Sequence, residues 1–423
     1  MKPATSTRRA GLSQAVLAFV LLLFVAAAAS AQTLKVWILV SNADVHRLLD
    51  EEWIPQFEAQ HPGVTVEWEK ISWSALNDRL VAAFAGGVAP DIIQGGAEYR
   101  AVYAENGFAR PIDDFLEEWP EWQNYVRGAW ETVVWDGKAY GIPAVTSPRT
   151  IFYNKRIFAE AGLPPEPPAT WEELYDYSMR LNRYDDDGNI TRVGFEARKY
   201  AAGLHFVLPF FLQNGVEMLS PDGTRAAFNT PAAVETLEFL AEWSQNVSPI
   251  PRMHLIGHDV SVNFAEGKSG MMYGNAGVFN TIRQLDPDLV SEIGVAPPLT
   301  RKVQAGVTYT DWWAITTTSQ HPELAFEFIT FLSEPDRLAV YNELVRTIPP
   351  RNDALTAAWM DANPELALLA QLVLPHTKAY FSSQYAHHMN SIFERVLGQT
   401  MDGYMSPNEA LERAAADYNA LFM

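Results

Sequence analysis

The sequence predicts an α/β protein built from two lobes, and three observations support this. Strand-like and helix-like hydrophobic patterns alternate between residues 34 and 93. Similar elements return later in the chain without a fixed repeat period. The length of 423 residues also exceeds the size, about 250–300 residues, at which one hydrophobic core usually stops growing.

The N-terminal elements alternate in the order typical of a parallel sheet. Ser74 is the expected cap of the second helix, and a Gly-Gly-Val-Ala-Pro break at 86–90 ends that helix. This order predicts right-handed crossovers between parallel strands. The predicted strand, helix, strand, helix and strand lie at 34–40, 45–60, 64–71, 74–85 and 91–93.

Later segments continue the α/β pattern. No Ser/Gly-rich or Pro-rich tether separates two halves of the chain, so we expect several short crossings between the lobes, in which a few residues serve as hinges. The later predicted elements are helices at 230–244, 322–332 and 407–421 and strands at 270–273, 293–296 and 314–317.

Two loops are site candidates on topology alone. Ligands of open parallel sheets bind beyond the carboxyl ends of the strands. The loops that follow the first and third predicted strands are 41–44 and 94–99. We therefore expect both to face a ligand.

The N-terminus has the order of a cleavable secretory signal. Basic residues at positions 2, 8 and 9 precede an apolar run at 15–29, and Ala-Ser-Ala at 29–31 precedes Gln32. The run is shorter than the roughly 20 residues of a membrane-spanning helix. We predict a signal peptide at 1–31, cleaved before Gln32.

Cysteine and charge limit the possible classes further. The chain has no cysteine, which excludes disulfides, thiolate metal sites, a cysteine nucleophile and a lipid-modified cysteine anchor. Loss of the three basic residues of the signal would take the formal charge from −20 to −23. Such a field repels nucleic acid and anionic lipid and argues weakly against an anionic ligand, although local arginines can override it. We expect a free periplasmic protein.

Four motifs in the middle of the chain carry a family resemblance. DGKAYGIP at 136–143, IFYNKRIF at 151–158, AGLPP at 161–165 and TWEEL at 170–174 resemble, in order and spacing, the extracellular solute-binding proteins that deliver sugars to ABC importers. The resemblance points to a binding protein and not to a catalyst. Further motifs that match this family lie at 57–63, 90–92, 264–272, 322–328, 348–351 and 406–411.

The resemblance implies a type II periplasmic binding fold like that of maltodextrin-binding proteins. Such a fold has two α/β lobes, three hinge crossings and an interlobe ligand cleft. We place the crossings near 144–148, 298–304 and 346–350. The lobes are then residues 32–146 plus 303–346, and residues 147–302 plus 347–423.

The implied function is that of a periplasmic substrate-binding protein. It would bind a mono- to oligosaccharide and deliver it to the membrane subunits of an ABC permease. We expect a monomer that needs no cofactor or metal, binds no nucleic acid and does not insert into the membrane after signal cleavage.

Aromatic side chains in loops and beside strands are the expected stacking platforms for sugar rings. If Trp312 faces the ligand, replacing it by alanine should weaken binding without unfolding the protein. Which of the two adjacent tryptophans faces the cleft stays open. The aromatic candidates are Trp73, Tyr309, Trp312, Trp313 and Tyr380.

Polar candidates come from the strand-end loops and from the predicted crossings. For Ser41, Asn42 and Asn275 the alternative is a capping or turn role, and for the two arginines it is ion pairing. The polar candidates, together with Tyr99 of the second loop, are Ser41, Asn42, Gln94, Glu98, Tyr99, Arg149, Asn275 and Arg351.

Two departures from the family bear on the ligand. Gly95 stands where maltodextrin-binding relatives have a tryptophan, and Glu98-Tyr99 where they have an Asp-Arg pair. Gly274-Asn275-Ala276 lacks a second family tryptophan. Both losses favour a smaller or differently shaped ligand than a long maltodextrin.

Two other functions stay open. The same fold could bind glycerol phosphate or another polyol ester, with an arginine and serine hydroxyls holding the phosphate; Trp73, Ser147 and Arg149 keep this alternative open. A secreted carbohydrate-active enzyme with two catalytic carboxylates is a more remote alternative. The sequence has no nucleophile-elbow, P-loop or Rossmann motif to support a hydrolase or nucleotide-binding protein.

Two metal-like patterns are interpreted structurally. His254 and His258 have helical spacing, but the sequence shows no third ligand and no zincin glutamate. The Asp-Asp-Asp-Gly-Asn run at 185–189 lacks the spacing of an EF-hand. We expect a polar hairpin turn there.

Overall fold

A computed structural model describes residues 32–196, 203–247 and 260–423. The predicted signal at 1–31 and the histidines 254 and 258 lie outside the described residues. Within these ranges no helix has the length and apolar character needed to cross a bilayer.

Twelve strands are present among the described residues, and most of them join one sheet. They are β1 Gln32–Ile38, β2 Val64–Lys70, β3 Ile92–Gly96, β4 Val134–Trp135, β5 Lys138–Ala139, β6 Ile142–Asn154, β7 Arg183–Tyr184, β8 Ile190–Glu196, β9 Ser269–Gly274, β10 Ile293–Val295, β11 Gly306–Ile315 and β12 Thr377–Ala379.

The α-helices cover the two faces of this sheet. They span Ala43–Leu48, Ile54–Gln60, Leu76–Ala85, Arg100–Glu105, Asp113–Leu116, Arg127–Trp130, Lys155–Glu160, Trp171–Leu181, Leu204–Gln213, Pro231–Glu242, Val260–Ala265, Val278–Leu285, Pro322–Leu332, Pro335–Val345, Ala357–Ala362, Pro364–Leu372, Ala386–Met401 and Pro407–Asn419.

The sheet runs continuously through the molecule in the order β2-β1-β3-β11-β6-β9-β8-β7. β1 is parallel to both β2 and β3, which confirms the parallel sheet predicted from the first elements. β11 and β6 form a long antiparallel pair at the centre, and β12 adds a short parallel strand to β11. We call β6 and β11 the crossing strands.

The hydrophobic cores divide into two groups that share the crossing strands. One group is built from residues 34–145 and 312–345, which we call lobe 1. The other is built from residues 151–307 and 348–418, which we call lobe 2, and it also includes Ala97. The chain therefore passes between the lobes within β6, within β11 and between residues 345 and 348.

The second passage lies later than the sequence suggested. Val307 is buried in the core of lobe 2 and Trp312 in that of lobe 1, so the change of core falls inside β11 and not at 298–304. A strand can leave one core and enter the next without a loop, and sequence patterns do not mark such a change.

The third passage is tied to the first by backbone hydrogen bonds. Thr146 and Ile348 exchange two such bonds, at 2.9 and 2.8 Å. Arg346 just before it has a left-handed backbone with φ of 56°, which ends the helix Pro335–Val345 and turns the chain towards β6. The passages thus lie side by side.

A β-bulge lies where β6 leaves lobe 1. Asp311 pairs with Val145, whereas Trp312 pairs with Pro143, so Ala144 is an extra residue in β6. Bulges bend a strand and increase its twist. This one lies within the first predicted crossing.

Two local predictions can be compared directly with the structure. The helix predicted at 74–85 begins as a 3₁₀ turn, Trp73–Ala75, and becomes α-helical at Leu76. Ser74 bonds the Ser72 hydroxyl at 3.2 Å and does not cap the helix, so that prediction was wrong. The polar turn at 185–189 is confirmed, since Asp185 accepts from the amides of Asp187 and Asn189.

Gly141 tests the packing of the crossing strands. A Cβ there would lie 2.3 Å from the Trp313 carbonyl oxygen and 2.4 Å from Cε3 of Trp312. We expect Gly141→Ala to lower the free energy of unfolding by about 2–3 kcal/mol in denaturant titrations. Gly128→Ala, where nothing lies within 4 Å of the added carbon, is the matched control. Equal stability of the two variants would contradict this packing.

Candidate ligand-binding site

One face of the crossing strands collects four polar side chains. Tyr309 and Asp311 are two residues apart in β11, so both point to the same face. Ser147 pairs with Tyr309, and Arg149 follows two residues later in β6, which puts both on that face as well. All four side chains are partly accessible, and we call the surface that they form the cleft face.

Glu98 joins this face from the turn after β3. Gly96 is the register partner of Asp311, and a Cβ on Gly96 would lie 2.8 Å from Oε2 of Glu98. Partners across an antiparallel pair point to the same side, so the two carboxyl groups are neighbours. Burial, with a further contribution from the Glu98 charge, raises the pKa of Asp311 to about 7.

An aromatic cluster lies beside these carboxylates on the side of lobe 2. The Tyr309 and Tyr380 rings are 5.3 Å apart, and His205 stacks on Tyr380 with centroids 5.4 Å apart. His205 Nδ1 and the Tyr309 hydroxyl are 2.6 Å apart, and the Arg149 guanidinium carbon lies 4.3 Å from the Tyr309 ring centre. The cluster offers rings with polar edges.

His205 is a neutral member of this cluster. Burial, and secondarily the Arg149 charge, lowers the pKa of His205 to about 4. The imidazole is therefore uncharged at neutral pH and can share a hydrogen bond with the Tyr309 hydroxyl.

Tyr380 is held rigidly by its surroundings. It follows β12, whose last residue Ala379 pairs with Thr308, so Tyr380 falls beside Tyr309. The ring is fully buried, and its hydroxyl donates to Oδ1 of Asn390 at 2.6 Å. Asn390 belongs to the helix Ala386–Met401, which anchors the ring to lobe 2.

Lobe 1 contributes a second aromatic pair. Trp73 lies in the 3₁₀ turn after β2 and is 41% exposed, and its ring centre is 6.4 Å from that of Tyr99. Tyr99 is buried, and burial together with the Glu98 charge raises its pKa to about 12. Trp73 therefore presents an exposed ring face next to the loop 94–99, which the sheet topology predicted to face a ligand.

The lobes touch each other across the cleft. The Ala101 amide of lobe 1 donates to the Ser382 hydroxyl of lobe 2 at 3.2 Å. Gly223 also approaches Trp135, since a Cβ on it would be 3.4 Å from the indole. The structure thus shows the two lobes in contact.

Trp312 and Trp313 lie in the cores of lobe 1 and not at the cleft, which corrects the expectation for both. Trp312 is fully buried, with Nε1 donating to the Gly96 carbonyl at 2.8 Å. Trp313 is 4% exposed and packs in the core on the other face of the sheet. Beyond the bulge, alternate residues of β11 enter separate cores, so neither ring is available to a ligand in this structure.

Two polar candidates hold lobe 1 together. The Asn42 side chain caps the helix Ala43–Leu48 through two backbone amides, and its Nδ2 donates to the Leu344 carbonyl at 2.9 Å. Gln94 is buried, accepts from the Leu39 amide at 2.8 Å and donates to the Tyr341 hydroxyl at 3.3 Å. These bonds occupy both side chains, so neither is available to a ligand in this structure.

Arg351 stabilises the third passage between the lobes. Its guanidinium pairs with both oxygens of Asp353, at 2.9 and 2.6 Å, and donates to the Ser333 carbonyl at 2.9 Å. It is only 3% exposed. Arg351 therefore has the ion-pairing role that was the alternative, and its side chain does not reach the cleft face.

Ser41 and Asn275 occupy turns. Ser41 is exposed at the end of β1 and precedes the capping residue of the next helix. Asn275 is partly accessible, and its Oδ1 accepts from the Gly277 amide at 3.0 Å. Asn275 stays a site candidate through its amide nitrogen.

Three residues of the cleft face were missed by the sequence analysis. Asp311 could have been found, because strand alternation places it with Tyr309. Asn390 and His205 carry no such signal, since their roles depend on how two lobe 2 helices approach β11 and β12.

A second groove on lobe 1 is lined by Trp37 and Arg79. Arg79 forms a bidentate ion pair with Glu69, at 2.7 and 3.0 Å, and its guanidinium carbon lies 5.0 Å from the Trp37 ring centre. This groove lies away from the crossing strands, and we assign no site to it.

Comparison with known proteins identifies relatives over nearly the whole chain. The model of the bacterial extracellular solute-binding protein family matches residues 42–337. A putative binding protein of Brucella abortus is 24% identical over 373 residues, covering 88% of this chain and 89% of that protein. The sn-glycerol-3-phosphate-binding periplasmic protein UgpB of Salmonella paratyphi A is 25% identical over 384 residues, covering 81% of each chain.

A solved structure shares the fold. The sugar-binding protein MalE from Xanthomonas citri matches with a TM-score of 0.80 at 21% identity, covering 92% of this chain and 97% of that chain. The expectation of a maltodextrin-binding-type fold is confirmed.

The buried position of Trp312 predicts a structural phenotype. Trp312→Ala should lower the free energy of unfolding by about 3–5 kcal/mol, because it leaves a cavity and removes the bond to Gly96. Trp73→Ala, which removes an exposed ring of the same size, should cost less than about 1 kcal/mol. Denaturant titrations of both variants test this, and a Trp312→Ala variant as stable as Trp73→Ala would place Trp312 outside the core.

The depressed pKa of His205 predicts acid sensitivity. Unfolded histidine takes up a proton near pH 6.5, whereas folded His205 stays neutral down to about pH 4, so protons favour the unfolded state between these values. Its contribution to stability should therefore fall by about 2 kcal/mol between pH 7 and pH 4.5.

Denaturant titrations at the two pH values measure this loss. His205→Gln should lose less stability than the wild type on acidification, and His376→Gln, at an exposed histidine, should behave like the wild type. Equal losses in the wild type and His205→Gln would show that His205 is protonated in the folded protein.

Proposed function

The chain belongs to the bacterial extracellular solute-binding protein family, and we propose that it binds a carbohydrate in the cleft and delivers it to an ABC permease. The observation that carries this proposal is the single cleft face on which Arg149, Ser147, Tyr309 and Asp311 meet the Tyr380–His205 stack. The sugar-binding MalE of Xanthomonas citri shares this fold.

The chemistry of this face suits sugars. A sugar ring presents an apolar face of C–H groups and an equatorial set of hydroxyls. Aromatic rings cover the first, while carboxylate, guanidinium and hydroxyl groups bond the second. The Tyr309 ring packs against Arg149 and Tyr380 and its hydroxyl bonds His205, so this cluster fixes the polar groups of the face. Trp73, which is 41% exposed, offers a ring to the apolar side of a sugar.

We propose that binding shifts the protein from an open to a closed form. Glu98 and Trp73 come from lobe 1, and the partly accessible His205, which rests on the buried Tyr380, comes from lobe 2, so a ligand between them bridges both lobes. The crossing strands connect the lobes and would act as the hinge. A micromolar dissociation constant corresponds to about 8 kcal/mol, which a few stacked rings and charged hydrogen bonds can supply after the cost of closure.

We propose a periplasmic monomer released from its signal at Gln32, with lobe boundaries close to those expected from the sequence. The N-terminal signal pattern and the absence of cysteine in the sequence support a protein without a lipid anchor. Delivery to a permease requires recognition of the closed form, and no catalysis is part of this function.

A polyol phosphate is the second candidate ligand. The relative UgpB is described as binding sn-glycerol 3-phosphate, and Arg149 with Ser147 on the cleft face could hold a phosphate group. Glu98 and Asp311, two carboxyl groups on the same face, disfavour the binding of a phosphate.

Thermal unfolding of the exported protein against mono-, di- and oligosaccharides, polyols and glycerol phosphates tests the proposal. A ligand at one hundred times its dissociation constant adds about 2.7 kcal/mol, which raises the melting temperature by a few degrees. Trp73→Ala should lose at least half of that shift, whereas Tyr404→Ala, which removes a ring that is 84% exposed, should keep it.

Three outcomes are informative. A shift with a sugar that is recovered unaltered supports a binding protein, and consumption of the compound would support the enzyme alternative instead. Silence across the whole panel would contradict carbohydrate binding.

A further inference from the structure

Asp311 is an acidic group of the cleft face that has no side-chain partner among the described residues. Its side chain is partly accessible although it lies at the junction of the lobes. It forms no hydrogen bond or ion pair with any other residue of the described ranges. A carboxylate in such a place is stabilised only when a donor arrives from outside.

Among the described residues, the groups that interact electrostatically with Asp311 add no positive charge. Burial raises the pKa of Asp311, and the charge of Glu98, which lies beside it from the turn after β3, raises it further. Tyr341, from the helix Pro335–Val345, is bonded to Gln94, and its burial, with a smaller contribution from the charge of Asp311, holds the Tyr341 pKa above its usual value. The Asp311 end of the cleft is therefore acidic.

Arg149 lies at the other end of the same face. It pairs with Val307, four residues before Asp311 in β11, which is about 13 Å along a strand. The cleft is thus polarised, with a cation towards lobe 2 and carboxyl groups towards lobe 1. A ligand that reaches Asp311 meets the acidic end.

We propose that Asp311 determines the charge class of the ligand by accepting hydrogen bonds from hydroxyl or ammonium groups and, with Glu98, by excluding a phosphate from this end of the cleft. A third negative charge about 5 Å from these carboxylates would weaken binding by on the order of a hundredfold. The role rests on the proposed function and selects, within it, neutral or amino-bearing sugars and polyols over their phosphate esters.

Binding at Asp311 should depend on pH. Donors from the ligand favour the ionised form of Asp311, so binding lowers a pKa that is about 7 in the free protein. Affinity is then greatest above pH 7 and falls as the pH drops through this value. His205, with a pKa of about 4, stays neutral between pH 8 and pH 5.5 and does not contribute.

The test uses matched compounds of different charge. Titration calorimetry compares glucose, glucosamine and glucose 6-phosphate, mannitol and mannitol 1-phosphate, and glycerol and sn-glycerol 3-phosphate, at pH 8 and pH 5.5. For the set that binds, we expect the neutral or amino compound to bind at least tenfold tighter than its phosphate ester. We also expect about tenfold weaker binding of the neutral compound at pH 5.5 than at pH 8.

Variants separate a ligand contact from a structural effect. Asp311→Asn should weaken the neutral compound by roughly tenfold at pH 8 and abolish the pH dependence, because a charged acceptor is lost. Glu98→Gln should leave binding pH-dependent but move its midpoint to lower pH, a shift that a folding defect would not produce. Asp361→Asn, at an exposed carboxylate of lobe 2, is the matched control and should change neither.

Each contrary result has a distinct meaning. If neutral compounds bind and Asp311→Asn keeps the wild-type affinity and pH profile, the role of Asp311 is wrong and carbohydrate binding stands. Tighter binding of a phosphate ester would also overturn the role and support a polyol-phosphate carrier. If no compound of these sets or of the wider sugar panel binds, carbohydrate binding itself fails, and the role of Asp311 fails with it.

Discussion

The antiparallel pairing of β6 with β11 is the constraint on which the rest of the structure depends. Both lobes build their cores on these two strands, and β3, β9 and β12 extend the sheet from them. Their register decides which side chains share a face, so the positions of Arg149, Ser147, Tyr309 and Asp311 follow from pairing alone. A shift of either strand by one residue would turn its two members to the opposite face of the sheet.

The same strands explain why aromatic residues close in sequence have different roles. Tyr309 lies where β11 passes between the lobes, and its ring packs with His205 and Tyr380. Trp312 and Trp313 lie only three and four residues later, but by then the strand has entered lobe 1 and helices cover both faces. The junction between lobes is a short stretch of strand, and the ligand site is confined to it.

Much of the fold could be predicted from the sequence because its signals are local. The alternating first elements predicted parallel strands, and the family motifs predicted the fold that the comparison confirms. The change of core inside β11 could not be found this way, since a strand that crosses between lobes keeps the same pattern. The Ala144 bulge depends likewise on pairing and leaves no mark in the sequence.

The site was harder to predict than the fold. Their residue types suggested Trp312 and Arg351 as ligand contacts, but both side chains are buried. Arg351 also binds Asp353 and a backbone carbonyl. The position of Asp311 could be predicted from strand alternation, whereas the position of His205 depends on tertiary packing. Local sequence thus indicates which chemistry the chain carries, and the register of the crossing strands indicates which part of it meets a ligand.

The central claim is that a ligand bridges the lobes and closes them. The sequence has no cysteine, so spin labels on Asp78→Cys in lobe 1 and Glu238→Cys in lobe 2, both at exposed positions, report one distance only. Pulsed dipolar spectroscopy should show an open population in the free protein that shifts to a shorter distance with the sugar that raises the melting temperature. An unchanged distance distribution at saturating sugar would contradict the account.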